Sequence, residues 1–411
     1  MTERVATPSN RSTRRPARRA RLLAVATAAA GVAAVVAVPG AASASSGPAG
    51  QPPAKPVTVM TRNIYLGGDI MRPLYATAGK SGPAALVAFA NANDTLRDIV
   101  DGTSFPVRSR LLAEEIALER PDVVGLQEVA KWRSGPLELD KVGTPNAEQV
   151  DYDFLATLTA DLAAAGADYD VVNVQQESDV EGPAFEGSPF AGTMKDPRDV
   201  RLTMRDVMLV RGDHGLKVLD SGGAQYRTRL PVNVGGVPFT FIRGYNWADV
   251  HVGSMTVRVV NTHLESASSD IALGQAMELV NGPAKGAQST VVVCDCNSDP
   301  LNDTVKPTDP LKTPHSGPYN YIVSKGFTDA WLQWKPANQG WTSGLSELVN
   351  DPTPAGFDHR IDMVFAKTAS GVPVSVDRGT ITGDELSDRD PATGLWPSDH
   401  AGVVLRLRGL Q

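Results

Sequence analysis

The sequence is poor in cysteine: its 411 residues include only Cys294 and Cys296, both within the segment "VVVCDCNSDP". With no third cysteine, a structural zinc site of the cysteine-rich kind lacks its ligands. Two residues that are neighbours-but-one on a continuous strand have poor geometry for a disulfide. We therefore expect two buried free thiols, which behave as small hydrophobic side chains.

The sequence also lacks a long basic track and, beyond residue 44, any second apolar run of membrane-spanning length. Removal of residues 1–44 takes away seven Arg and one Glu, so the formal net charge changes from −7 to −13. An acidic chain disfavours a broad nucleic-acid-binding face, because such a face depends on Lys and Arg. A local patch or a bound metal ion can still neutralise an anionic substrate.

The first 44 residues have the pattern of an export signal. A basic stretch, "RRPARRARLL", leads into an Ala-rich apolar run from Leu22 to Val38, and Ala42-Ser43-Ala44 follows. This predicts cleavage after Ala44 and a secreted protein, exported by the general secretory or the twin-arginine route. A membrane anchor is the alternative, but the run ends at Pro39. We expect no stable membrane span in the mature chain.

The remaining chain is predicted to contain a Ser/Gly/Pro/Ala linker at 45–55 and a single domain at 56–411. Helical spacing in "RSRLLAEEIALER" alternates with short apolar strands, and the middle of the chain is rich in consecutive strands that favour antiparallel pairing. Two segments, 65–107 and 176–205, lack a clear pattern. We expect these to be long loops, either at a functional rim or as surface insertions.

Polar side chains stand where several apolar strands end. Asp295 and Asn297 lie two residues apart, so an extended chain places them on one face and the cysteines on the other. Taken singly, such residues are consistent with turns, caps or a buried histidine. Taken together, they indicate a catalytic site. The other strand ends of this kind are Asn63, Glu128, His263, Asp399 and His400.

Six motifs occur along the chain in this order: "TRN" at Asn63, "LQEV" at Glu128, "NTHLES" at His263, "DCNSDP" at Asp295 and Asn297, "RIDMVF" at Asp362, and "SDH" at Asp399 and His400. In this order, they resemble the endonuclease/exonuclease/phosphatase superfamily of metal-dependent phosphoesterases, which includes deoxyribonuclease I-like nucleases, bacterial sphingomyelinases and inositol polyphosphate phosphatases. The resemblance implies an α+β fold: two mostly antiparallel sheets packed as a sandwich and flanked by helices, in four layers. One departure concerns Cys294 and Cys296, which stand where the family commonly has Gly and a bulky residue.

The resemblance also implies roles. Asn63, Glu128 and Asp399 would hold a divalent cation, with Mg²⁺ as the default and Mn²⁺ or Ca²⁺ as alternatives. Asp295 and Asn297 would hold the nucleophilic water and the phosphate. The catalytic set would be completed by His263, which donates to the phosphate or the leaving oxygen, and by the pair of Asp362 and His400.

Which of Asp295 and His400 takes the proton of the water stays open at this point. Arg205, ahead of a central strand, is a candidate phosphate clamp or a solvated strand-edge residue. His359, beside the "RID" motif, is similarly ambiguous.

Three functions are compatible with these residues. The first is a secreted phosphodiesterase for phospholipid head groups or small phosphodiesters, working as a monomer, with Phe185 and Phe190 as possible membrane-docking residues. The second is a secreted nuclease, which would need arginines and aromatic residues along the cleft. The third is a non-catalytic binding module on the same fold. Loss of a metal carboxylate or of the Asp362–His400 pair would favour this function, but these residues are all present.

Overall fold

The computed structural model describes residues 55–234 and 237–410. The predicted export signal at 1–44 lies outside the described residues, as does the predicted linker at 45–55 apart from Lys55. The described residues belong to one compact unit, whose first strand begins at Val57.

The described residues form sixteen strands and seven α-helices. The strands are β1 (Val57–Asn63), β2 (Val123–Gln127), β3 (Lys131–Pro136), β4 (Gln149–Asp153), β5 (Tyr169–Glu186), β6 (Lys195–Arg211), β7 (Lys217–Gln225), β8 (Leu230–Val234), β9 (Val237–Phe241), β10 (Gly244–Val252), β11 (Met255–His263), β12 (Ser289–Asp295), β13 (Thr328–Asp329), β14 (Asp362–Lys367), β15 (Ser375–Thr382) and β16 (Gly402–Arg408). The helices are α1 (Arg72–Ala76), α2 (Gly82–Gly102), α3 (Phe105–Glu119), α4 (Phe154–Ala164), α5 (Ser269–Asn281), α6 (Gly317–Ser324) and α7 (Ala330–Trp334).

Two large sheets lie at the centre. The first has the strand order β15-β16-β1-β2-β6-β3-β4, with β5 also paired to β6, and the second has the order β13-β14-β12-β11-β10-β7. Each sheet contains one parallel pair, β1 with β2 and β11 with β12, and all its other pairings are antiparallel. Strands β8 and β9 form a separate antiparallel hairpin.

The sheets pack face to face, and helices cover their outer faces. Alternation along β12 shows this directly: Val291 and Val293 join the core between the sheets, whereas Val292 and Cys294 pack in the core that includes α5 and α6. The outer face of the first sheet packs on α2, α3 and α4. These four layers confirm the predicted α+β sandwich.

The segment 65–107 is not a loop, which corrects the prediction: it contains α1, α2 and the start of α3. Helix α2 buries a face whose members include Ala85, Asn93, Arg97 and Val100. Apolar residues recur at helical spacing on this face, but the polar Asn93 and Arg97 interrupt it, and the prediction missed the helix.

The segment 176–205 is also not a loop, because it forms most of the long hairpin of β5 and β6. The pairing register shifts at three places along β5, between Val171 and Asn173, Gln176 and Asp179, and Ala184 and Glu186. At the first two shifts β5 has one extra residue, so its side chains do not alternate regularly between the faces; at the third, the extra residue lies in β6. Of the two candidate docking residues near its tip, Phe185 is buried and Phe190 is exposed.

The expectation of two free thiols is wrong, since Cys294 and Cys296 form a disulfide with their Cα atoms 5.2 Å apart. The prediction assumed that both cysteines lie on one strand. Strand β12 instead ends at Asp295, and the amide of Cys296 donates to the carbonyl of Ile361 at 2.8 Å, outside the regular ladder. The turn at this point brings the two sulfur atoms together.

No helix among the described residues has both the length and the hydrophobicity that crossing a bilayer requires.

Candidate active site

The site lies where the core between the two sheets changes from apolar to polar. The inward-facing positions of β12 are Val291, Val293 and Asp295, and those of β11 end with Asn261 and His263. On three adjacent strands, His263, Asp295 and Asp362 are register partners in one row. Because side chains alternate between the two faces of a strand, these three functional side chains lie together at one edge of the second sheet.

Asp295 is held by groups from both sheets. Its Oδ2 accepts a hydrogen bond from Nδ2 of Asn63 at 2.9 Å, and its Oδ1 accepts one from the amide of Asn297 at 3.0 Å. Burial and, next, the neighbouring Asp362 and Glu128 raise the pKa of Asp295 to about 7, against the opposing influence of His400 and Asn63. Asn297 has a φ of 43°, a left-handed conformation that turns the chain so that its amide points back to this carboxylate.

His400 and Asp362 form the predicted pair. Nδ1 of His400 donates to Oδ2 of Asp362 at 2.9 Å, which leaves Nε2 free for another partner. Burial lowers the pKa of His400, but the nearby carboxylates of Asp362, Asp399 and Asp295 outweigh burial and hold it well above its usual range. The backbone carbonyl of His400 accepts from the fully buried Arg62, which fixes this turn against β1.

Arg243, which is not among the residues predicted from the sequence, completes the environment of His263. Nη1 of Arg243 lies 2.9 Å from Nδ1 of His263, and both side chains are buried. The guanidinium also faces Glu177 and Glu265 at 3.9 and 3.6 Å. The only signal in the sequence is an arginine enclosed by apolar strand residues in "VPFTFIRGYNWADV".

The predicted metal carboxylates Glu128 and Asp399 line one open pocket of about 840 Å³, counting its mouth. Glu128 adopts a φ of 60°, and its Oε2 accepts from the amide of Leu66 at 2.8 Å. Burial raises the pKa of Asp399 to about 6, and the charge of Glu128 adds to this effect while His400 opposes it. Strained backbone at Glu128 and Asn297 is typical of functional sites.

Glu128 and Asp399 fit a hard divalent cation, because such an ion prefers oxygen ligands and its positive charge would reduce the repulsion between the two carboxylates. Asn63, the third predicted ligand, is placed differently: its Nδ2 donates to Asp295 and its Oδ1 accepts from the amide of Tyr65 at 2.8 Å. A second possible metal group consists of Asp295, Asp362 and His400, whose ligand atoms lie within 4.8 Å of one another.

Arg205 does not face the pocket. It donates to the carbonyls of Val129 and Ala130 at 2.9 and 3.1 Å and to the carboxylate of Asp153 at 2.7 Å. The side chain therefore supports the segment that follows Glu128. His359 lies half-exposed beside Asp358, with which it pairs.

The comparisons with known proteins concern the fold. No family model matches the sequence, and a search of curated proteins finds no match. Among solved structures, an endonuclease/exonuclease/phosphatase family protein from Bacteroides thetaiotaomicron aligns with 86% of this chain and 98% of its own, at 16% identity and a TM-score of 0.49. A protein described by the same family name from Beutenbergia cavernae aligns with 86% of this chain and 72% of its own, at 22% identity and a TM-score of 0.47.

A mannosyl-6-phosphatase from Bacteroides thetaiotaomicron aligns with 86% of this chain and all of its own, at 16% identity and a TM-score of 0.47. Two of these three proteins carry the name of the family that the motifs resemble. Similarity at this level says nothing about the reaction or the substrate of this chain. Those conclusions depend on the side chains described above.

Proposed function

We propose that this protein is an exported, divalent-metal-dependent phosphodiesterase that hydrolyses phospholipid head groups or small phosphodiesters. The observation that carries the proposal is the row of His263, Asp295 and Asp362, completed by His400, at the edge where Glu128 and Asp399 line an open pocket. An oriented water, a phosphate-binding imidazole and a cation site are three components that metal-dependent phosphodiester hydrolysis uses.

The side chains have separable roles. Asp295, fixed through both oxygens by Asn63 and Asn297, orients the attacking water. His400 presents Nε2 to the phosphate, because Asp362 occupies Nδ1. His263, whose Nδ1 faces the guanidinium of Arg243, directs Nε2 toward the same space.

A cation held by Glu128 and Asp399 would supply the positive charge that stabilises the phosphoryl oxygens and the leaving group. Mg²⁺ is the default for carboxylate ligands, and Mn²⁺ or Ca²⁺ suits the same oxygen donors.

The charge of the pocket supports a small or lipid substrate over a nucleic acid. Its lining includes one guanidinium, that of Arg243, and five carboxylates. A surface of this kind repels a long polyanion, whereas a single phosphodiester needs only the bound cation and the imidazoles. The carboxylates belong to Asp69, Glu128, Glu265, Glu347 and Asp399.

Export is supported by the leader at 1–44 and by the Cys294–Cys296 disulfide, since disulfides persist mainly in oxidising compartments.

The test is hydrolysis by the full chain of sphingomyelin, phosphatidylcholine, glycerophosphodiesters and plasmid DNA, in Mg²⁺, Mn²⁺, Ca²⁺ or EDTA. We expect metal-dependent cleavage of a lipid or small diester and its loss in Asp295→Asn, with circular dichroism confirming that the variant is folded. Preferential cleavage of DNA would instead establish the nuclease alternative. No cleavage with any metal would contradict the proposal.

A further inference from the structure

An apolar groove leads away from the catalytic pocket. It consists of two neighbouring cavities with volumes of about 70 and 220 Å³. The first shares Ile70 and Phe241 with the catalytic pocket. The second shares Phe89, Gly182 and Phe239 with the first. The three spaces therefore lie next to one another, with side chains in common.

Three parts of the fold build this groove. The hairpin of β8 and β9 supplies Val232, Phe239 and Phe241, and the segment from Ile70 through α2 supplies the facing wall. Val180 of β5 lies between them with other strand residues of the first sheet. Below the hairpin, the amide of Ile242 donates to the hydroxyl of Ser178 at 2.7 Å, which ties this end of the hairpin to β5.

The polar side chains that line the groove are bonded to the backbone. Asn93 donates to the carbonyls of Gly182 and Pro183, and Oε2 of Glu181 accepts from the amides of Asn146 and Ala147, both at 2.7 Å. Nε1 of Trp132 donates to the carbonyl of Leu66 at 2.9 Å. The groove therefore recognises its occupant through apolar contact, in contrast to the acidic catalytic pocket.

From this juxtaposition we propose that the groove binds the hydrocarbon chain of an amphiphilic phosphodiester substrate whose phosphate lies beside Glu128 and Asp399. The inference depends on the proposed phosphodiesterase function, because the phosphate must occupy the catalytic pocket. The shared walls of Ile70 and Phe241 identify the occupant: a molecule that reaches from the acidic pocket into the adjoining apolar groove needs one anionic diester group joined to one apolar chain. At the far end, Val142 lines the second cavity and is partly exposed, so a longer chain can emerge there.

The test compares two soluble substrates, methyl p-nitrophenyl phosphate and tetradecyl p-nitrophenyl phosphate, below the concentration at which the latter aggregates. We expect kcat/KM for the tetradecyl ester to exceed that for the methyl ester by about tenfold or more, because buried methylene groups add binding free energy. Val180→Trp fills the groove and should reduce this ratio toward one. Val174→Trp, on the exposed face of the same strand, should retain it.

A second pair of variants tests the hairpin. Phe239→Asp places a charge in the groove and should reduce the ratio, whereas Thr240→Asp changes an exposed neighbour and should not. Equal kcat/KM for the two esters in the unmodified protein would contradict binding of the hydrocarbon chain in the groove, and would leave the phosphodiesterase proposal intact. An equal decrease in the ratio of the two kcat/KM values in Val174→Trp and Val180→Trp would also contradict binding in the groove.

If neither ester is cleaved with any metal, the proposed function fails. Binding of the two esters, measured by calorimetry in EDTA, then tests separately whether the groove binds the hydrocarbon chain. Tighter binding of the tetradecyl ester than of the methyl ester, weakened about tenfold by Val180→Trp, would support it. Binding that does not depend on chain length would exclude it.

Discussion

The guanidinium of Arg243 determines which nitrogen of His263 carries the proton. Its Nη1 lies 2.9 Å from Nδ1 of the imidazole, and an arginine can only donate, so Nδ1 must accept. A neutral His263 therefore holds its single proton on Nε2, where Oδ2 of Asp295 at 3.4 Å can accept it. Nδ2 of Asn297, 2.9 Å from the same nitrogen, is also a donor and gains no hydrogen bond from this tautomer. Burial and, next, the charge of Arg243 lower the pKa of His263 well below its usual range.

We expect Arg243→Met to raise the pKa of His263 and to reduce kcat by about 10- to 100-fold, because the imidazole loses its fixed tautomer. Arg243→Lys retains a positive charge and should restore part of the loss. Titration of His263 by NMR, beside kcat and KM, separates this positioning role from a general loss of stability. An unchanged His263 pKa in Arg243→Met would show that the guanidinium does not control the imidazole.

Asp362→Asn tests the His400 pair. The neutral amide removes the carboxylate that fixes Nδ1–H, and we expect kcat to fall by about 10²- to 10⁴-fold. Metal affinity, measured by calorimetry, should stay within about threefold of the unmodified protein if Glu128 and Asp399 hold the ion. A parallel fall in metal affinity would locate the ion at Asp295, Asp362 and His400 instead.

Glu128→Gln should weaken divalent-metal binding by more than about tenfold, since it removes an ionised oxygen ligand and leaves the shape of the side chain unchanged. Glu347→Gln is a matched control on the same pocket, because Oε1 of Glu347 accepts from the amide of Asp69 and its other oxygen pairs with Arg72. Calorimetric titration with Mg²⁺ and Mn²⁺ measures both. Equal weakening by the two substitutions would mean that net charge, and not ligation, governs binding.

Much of the site could be predicted because its residues end apolar strands. Asp295 continues the inward-facing series of Val291 and Val293, and His263 ends the neighbouring strand, so alternation alone places them on one face. The sequence does not reveal Arg243, because a buried arginine is recognised only by the carboxylates around it, and Glu177 and Glu265 lie far from it along the chain.

The errors in the fold have equally local causes. Helix α2 escaped detection because Asn93 and Arg97 occupy its buried face, and both are stabilised by contacts distant in sequence, with the carbonyl of Gly182 and the carboxylate of Asp151 respectively. The sequence disfavours the disulfide only if Cys296 continues the strand, and the strand ends one residue earlier, at Asp295. Such turns and polar burials depend on tertiary partners that local patterns do not contain.

Glu177 gives a prediction for the pH dependence of stability. Burial raises its pKa to about 7, although the charge of Arg243 opposes the shift. The folded protein therefore holds a proton that the unfolded chain has already released between about pH 4.5 and 7, so the free energy of unfolding decreases as pH rises through this window. Glu177→Gln should reduce that decrease by about 1 to 3 kcal/mol between pH 5 and 8.

Urea denaturation at several pH values measures this effect. The glutamine can still accept from the amide of Gly244, as Oε1 of Glu177 does at 2.8 Å, and Arg243 keeps the carboxylate of Glu265 at 3.6 Å. Glu186→Gln, at an exposed carboxylate, reports the effect of removing one acidic group from the surface. If both variants retain the slope of the unmodified protein, Glu177 is not its source.

The disulfide should affect both catalysis and stability, each modestly. Its two cysteines are separated by Asp295 alone, and a loop this short gives only about 1.6 kcal/mol in the chain-entropy treatment, below the usual 2 to 4 kcal/mol. The ring nevertheless encloses the residue that orients the water, and Asn297 follows it directly. Replacing both cysteines with alanine should therefore lower kcat severalfold while the free energy of unfolding falls by about 1 to 3 kcal/mol, including the lost buried volume.

Thiol titration of the denatured, unreduced protein provides the control, and we expect no free thiol. Mild reduction should reproduce the loss of kcat, and reoxidation should restore it, because only the bond and not the side chains has changed. Two titratable thiols in active protein would show that the turn after Asp295 holds its shape without the bond, and that the contacts of Asn297 with His263 and with the carbonyl of Leu264 are sufficient.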